Sequence, residues 1–128
     1  LVALGWRVMQ GGSPEAERVV GQWEIYDIPA EVGGDELLGA LIGWMEQSGA
    51  NTLKAATQIM ITPHYRFRII EGLVTNFHQP QSTLLLLISA IVGEEWHTIY
   101  RYAMDNGFRF LSYGDSSLLM IDKTDATR

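Results

Sequence analysis

Cysteine is absent, so neither a disulfide framework nor thiolate chemistry is open to this chain. Cationic side chains are scarce. Nine Lys and Arg stand against fifteen Asp and Glu, giving a formal charge of −6. A broad nucleic-acid-binding face needs clustered positive charge, and this balance argues against one here. The longest apolar run, Leu84–Val92 with a single Ser, is shorter than the ~20 residues that cross a bilayer, so no membrane partner is expected. No secretory leader pattern is visible, which fits a cytoplasmic setting. Glycine-rich phosphate loops are missing: Gly11-Gly12 and Gly33-Gly34 are lone pairs in loops. There is no G-x-S-x-G nucleophile turn, and no His/Cys/Asp cluster has metal-ligand spacing, so no metal is expected. The first residue is Leu rather than Met. Leu1–Gly5 reads as the end of a helix already under way, so a fragment of a longer protein is expected; a trimmed intact chain is the plainer alternative.

What is present begins with apolar content. With 128 residues, 47% of them hydrophobic, the chain is long enough for one domain, 1–128, with a real core. The organising stretch is Leu73–Gly93. A β-branched run, Leu73–Asn76, leads through Phe77-His78-Gln79-Pro80-Gln81 into an apolar helix beginning at Ser82-Thr83. Pro80 keeps Gln79 out of the helical region, and the Ser82 hydroxyl suits an N-cap. Leu84–Ile88 has no polar face, so the helix is expected to be covered on all sides. Its N-terminus would then sit at the bottom of a pocket beside Asn76 and His78, where a carboxylate or phosphate fits.

In chain order, Trp6–Met9 reads as a short strand, Gln10–Arg18 as a loop, Gln22–Ile28 as a strand and Pro29–Gly34 as a turn. Asp35–Ser48 places Leu37, Leu38, Leu41, Trp44 and Met45 on one helical stripe, ended by Ser48-Gly49. Thr57–Ile61 reads as a short buried strand. Tyr65–Ile70 alternates, and Glu71-Gly72 separates it from Leu73–Phe77 as in a hairpin. Glu94–Asp105 is an amphipathic helix stopped by Asn106-Gly107. Phe108–Ser112 and Ser117–Ile121 read as strands, and Lys123–Arg128 as a frayed tail. The order implies an α/β layered domain with a mixed sheet containing a β-hairpin and helices packed on the sheet, part of a larger protein.

Two polar turns, Thr75–Pro80 and Ser112–Ser116, end apolar strands where α/β sheets open a crevice. Asn76 offers donors and acceptors, His78 moves a proton near neutral pH, and Asp115 accepts hydrogen bonds from a ribose or an amine. Equally, Asn76 and Gly114-Asp115 suit plain turns. His64 and His97 read as surface residues. Arg66, Arg68, Arg101 and Arg109 suit either phosphate contacts or solvated positions.

The residues reach further through two motifs: TNFH-x-P-x-ST-LL at Thr75–Leu85 and FRF-x-SYGD at Phe108–Asp115. Over Thr57–Ile121 the chain resembles the C-terminal part of the S-adenosylmethionine:tRNA ribosyltransferase-isomerase (QueA) family; the likeness is weak over Leu1–Ala56. Two positions depart from the family pattern: His64 stands where Gly is common after Pro63, and Gln81 where a basic residue precedes the Ser-Thr pair. The resemblance implies an enzyme of queuosine biosynthesis. Such enzymes move the ribosyl part of S-adenosylmethionine, a co-substrate, onto 7-aminomethyl-7-deazaguanine at the wobble position of tRNA. Adenine and methionine leave, and the isomerised sugar gives epoxyqueuosine. It also implies an α/β domain with an inserted β-barrel in proteins roughly three times this length. This chain would be the C-terminal portion of that α/β domain, without the barrel or the Gly-Thr-Thr-Ser segment, and inactive alone. The roles implied are His78 as proton-transfer residue and Asn76 and Asp115 as orienting groups. Thr75, Phe77, Ser82, Thr83, Arg109, Tyr113 and Gly114 would line the substrate, with the Ser82-Thr83 helix start on the methionine carboxylate and Tyr113 stacked on a base. The alternative is a non-catalytic small-molecule-binding or protein-interaction module using the same pocket. The oligomeric state has no signature in the sequence.

Overall fold

A helix opens the chain: α1 spans Val2–Met9 in a computed structural model that describes Leu1–Asp122. The expected frayed tail, 123–128, lies outside the described residues. Trp6–Met9, expected as a strand, is thus helical. Four apolar residues suit either state by pattern, and packing of α1 on the next helix decides. That helix, α2 (Gly34–Ser48), buries Leu37 and Leu41 and ends at Gly49 in the left-handed conformation that favours glycine. The two helices touch so closely at Gly5 that a Cβ there would lie 2.0 Å from the Leu37 carbonyl oxygen.

These elements belong to the first of two compact units, Leu1–Met60 and Ile61–Arg128. In the first unit a parallel pair joins β1 (Val19–Val20) to β2 (Ala56–Thr57). Backbone bonds from Gln58 N–H to Val20 O and Met60 N–H to Gln22 O extend it along the expected Thr57–Ile61 stretch, whose β2 residues are exposed rather than buried. The expected strand Gln22–Ile28 is instead a 3-10 turn at Glu24–Asp27. The Gly21 N–H donates to the Glu24 carboxylate at 2.9 Å and curls the chain. Arg7 reaches across to this turn. Its Nε and Nη2 donate to Glu24 at 2.5 and 2.6 Å, Nη2 also meets the Val19 carbonyl at 2.7 Å, and Nη1 bonds the Glu17 carbonyl.

In the second unit β3 (Gly72–Asn76) pairs antiparallel with β4 (Ser116–Met120), Asn76 opposite Ser116 and Gly72 opposite Met120. The expected hairpin partner, Tyr65–Ile70, forms no ladder, and β3 pairs with β4 instead. Between the two strands run α3 (Leu84–Val92), a 3-10 turn at Gly93–Glu95, and α4 (Trp96–Asp105). Phe77, Ile88, Tyr100, Ala103 and Leu119 form the buried core. Phe77 sits at its centre, with ring centroids 5.4 Å from Tyr100, 5.4 Å from Phe108 and 5.6 Å from Phe110. Helix α3 is not covered on all sides: Ile88 is its buried residue, while Leu84 is 48% exposed and Leu86 38%. Phe108–Ser112, expected as a strand, is a tethered turn. The Leu111 N–H donates to Phe77 O at 2.8 Å, and Leu111 has φ +73°. The architecture mixes helices with one parallel and one antiparallel strand pair, each a two-stranded sheet of its own.

Candidate functional site

The end of β3 and the turn before β4 come together. The Phe77 N–H donates to Asp115 O at 3.3 Å, and the Leu111 N–H returns to Phe77 O. Asn76 reaches across with longer contacts, from Nδ2 to Gly114 O at 3.5 Å and to Ser116 Oγ at 3.4 Å. Such lengths are at the weak end for N–H···O bonds. His78 lies half-buried beyond the strand. Its Nε2 is 2.9 Å from Thr75 Oγ1, and its backbone N–H donates to the Tyr100 hydroxyl at 3.1 Å. Burial pushes the His78 imidazole below its ordinary value, favouring the neutral ring that accepts a proton near pH 7. Burial likewise pushes Tyr100 up, against the opposing bond from His78.

The second turn is closed by its own residues. Asp115 Oδ2 accepts the Arg109 N–H at 2.7 Å, Oδ1 lies 3.6 Å from Arg109 Nη2, and Asp115 N–H donates to Arg109 O at 2.8 Å. The Arg109 N–H, more than the guanidinium, holds the Asp115 carboxyl below its ordinary value. The carboxylate is therefore an ionised clasp with its strongest acceptor direction already engaged. Gly114 has no room for a side chain, since a Cβ would fall 2.3 Å from Arg109 O. The clasp leaves Tyr113 98% exposed and the Arg109 side chain in solvent.

The α3 start is on the surface rather than sunken. Thr83 is exposed, and the backbone N–H groups of Ser82, Leu85 and Leu86 bond the carbonyls of Gln79, Ser82 and Thr83. The Leu84 N–H takes Ser82 Oγ at 3.2 Å. Most of the donors expected to hold an anion are thus spent locally. Phe77 is 4% exposed and belongs to the core, where it supports the site from beneath. Two open clefts of about 300 and 310 Å³ lie in the first unit, one beside Arg7 and Glu24, the other beside Ile42 and Gly49. Neither is lined by a candidate residue. Among the described residues no three His, Cys, Asp or Glu gather as metal ligands, and no helix is long and apolar enough to cross a membrane.

Residues 39–119, which hold both turns, match the model of a family described as queuosine biosynthesis protein. The chain belongs to that family. It is 60% identical over 65 residues to the S-adenosylmethionine:tRNA ribosyltransferase-isomerase of Zymomonas mobilis, covering 50% of this chain and 19% of that protein. It is 51% identical over 76 residues to the Erythrobacter litoralis protein of the same name, covering 59% and 22%. The chain thus spans about a fifth of the length of these curated family members. The crystal structure of S-adenosylmethionine tRNA ribosyltransferase from Thermotoga maritima matches with a TM-score of 0.50 at 29% identity, over 67% of this chain and 38% of that one.

Two residues of the site carry no sequence signal for their place in it. Tyr100 was legible only as an apolar position on an amphipathic helix; nothing in the pattern says that its hydroxyl meets His78. Ser116 was legible as a turn residue, and the ladder register is what sets it against Asn76.

Proposed function

We propose that this chain is the C-terminal portion of the α/β domain of a tRNA-modifying transferase-isomerase. The intact protein transfers the ribosyl moiety of S-adenosylmethionine onto 7-aminomethyl-7-deazaguanine at the tRNA wobble position and isomerises it to epoxyqueuosine. S-adenosylmethionine serves as co-substrate and the modified tRNA as partner. The observation that carries the reading is the family match over residues 39–119, which spans the His78 and Asp115 turns. Chemically, the transfer needs proton movement beside a sulfonium cation, departure of adenine, and attack by an amine. His78, neutral and half-buried, takes the proton. Asn76, whose contacts to Gly114 and Ser116 are long and easily exchanged, orients the ribose or amine. Asp115 acts by shaping the turn and by presenting its remaining lone pairs. Thr83, Arg109 and Tyr113 are accessible to methionine, phosphate and base respectively, with Ser82 and Gly114 setting their backbones.

The test uses the full-length protein with S-adenosylmethionine and tRNA bearing 7-aminomethyl-7-deazaguanine, following release of adenine and the mass gained by the tRNA. Replacing His78 by Ala should lower turnover at least about a hundredfold; an unchanged rate rejects the role. The 128-residue chain alone should turn over nothing, since its helix start and Tyr113 stand open to water. Separate titrations of the intact protein with the sulfonium ligand and with tRNA discriminate the rival. A non-catalytic interaction module binds neither.

A further inference from the structure

Resting on the proposed role of His78, we infer that Thr75 and Tyr100 are its positioning residues, and that they leave Nδ1 as the ring nitrogen that exchanges a proton with the substrate. Thr75 Oγ1 lies 2.9 Å from Nε2, so that nitrogen is engaged within the protein. No hydrogen bond occupies Nδ1 among the described residues. Thr75 is itself fixed, because the ladder sets it opposite Ser117, whose hydroxyl donates to Thr75 O at 3.3 Å. Tyr100 anchors the other end of the residue by accepting the His78 backbone N–H at 3.1 Å. Its hydroxyl is aimed by packing: Tyr100 is buried, with its ring 5.4 Å from Phe77, 5.9 Å from Trp96 and 6.0 Å from Phe110. Backbone and ring of His78 are therefore each held by one hydroxyl.

The Thr75 hydroxyl can donate to or accept from Nε2, and proton uptake at Nδ1 requires the tautomer in which it accepts. A neutral imidazole has one N–H and one lone pair. With the proton on Nε2 donated to Thr75 Oγ1, the lone pair stands on Nδ1. When Nδ1 takes a proton, the Nε2–H bond to Thr75 persists and nothing needs to turn. The opposite tautomer would have to break or reverse that bond on every proton transfer. Thr75, expected as a substrate contact, becomes instead a support for the base.

Nitrogen-15 NMR of the imidazoles of the 128-residue chain, at a pH where they are neutral, tests this without catalysis. His64, exposed and in a turn, is the internal reference. The Nε2–H form of His78 should exceed the Nδ1–H form by at least about fivefold more than in His64. Thr75→Val should bring the ratio to within about twofold of His64, and Thr75→Ser, which restores a hydroxyl, should recover it. Tyr100→Phe keeps the ring and should accelerate exchange of the His78 amide and weaken the preference. A parent ratio equal to that of His64, or one untouched by Thr75→Val, overturns the positioning role. If the preference holds but His78→Gln leaves the full-length enzyme's turnover unchanged, the proton exchange at Nδ1 is overturned and the positioning geometry survives.

Discussion

In Leu1–Met60 a single guanidinium ties the parts together: Arg7 on a helix bonds the Glu24 carboxylate and the Glu17 and Val19 carbonyls. In Ile61–Arg128 the corresponding centre is an aromatic side chain, Phe77, among Tyr100, Phe108 and Phe110. Both units bury apolar side chains, but the first adds a directional, pH-sensitive ion pair to its α1–α2 packing, while the second centres on an aromatic cluster. The candidate chemistry sits on the second, on turns attached directly to Phe77 by its own N–H and C=O. The turns that carry the candidate residues are thereby anchored through backbone bonds to a core side chain that does not titrate.

The sharpest way to break this contrast is Phe77→Ala, which empties the centre of the second core. It should cost about 3–5 kcal/mol, seen as loss of the cooperative transition of that unit in denaturant. Next is Arg7→Met, which should cost about 1.5–3 kcal/mol by leaving Glu24 with the Gly21 N–H alone and two carbonyls to water. Its pH signature separates the units. Burial would raise the Glu24 carboxyl, but the bonds from Arg7 and Gly21 outweigh it, and the folded value is lowered. That contribution is therefore full above the ordinary carboxylate range and is lost as pH falls through the lowered value. Glu24→Gln should abolish this part of the acid sensitivity in a urea titration across pH. Gly5→Ala comes third, forcing α1 off the Leu37 carbonyl at about 1–2 kcal/mol, read as a lower melting temperature. Smallest is Asp115→Asn. The Asp115 carboxyl is also lowered, so its clasp weakens only as pH falls through its folded value. The substitution should speed amide exchange at Arg109 and hardly move the melting temperature; a large thermal shift would make the clasp part of the core.

Legibility in the sequence cut across the two units. Helix α2 and helix α4 were readable from their apolar stripes, and both turns of the candidate site from polar residues at the ends of apolar runs. What misled were short segments whose state depends on a distant partner. Tyr65–Ile70 alternates as a strand should, yet alternation says nothing about which neighbour β3 will accept. Phe108–Ser112 also alternates, but its Leu111 N–H goes to Phe77 rather than to a ladder. Gln22–Ile28 was bent by a carboxylate bonding a backbone N–H three residues back, a local competition that apolar periodicity does not register. At the site, residue types were readable but engagement was not. Asp115 looked like an acceptor and is a clasp, and the Ser82-Thr83 helix start looked like a donor nest and has spent most of its donors.

The pairing of Asn76 with Ser116 brings together residues 40 positions apart, with α3 and α4 as the intervening chain. Closing a loop of that size costs roughly 3 kcal/mol of entropy, before the β3–β4 ladder returns anything. Asn76 and His78 are neighbours on one strand end, so it is Asp115 alone that the β3–β4 register brings in from the far side of α3 and α4.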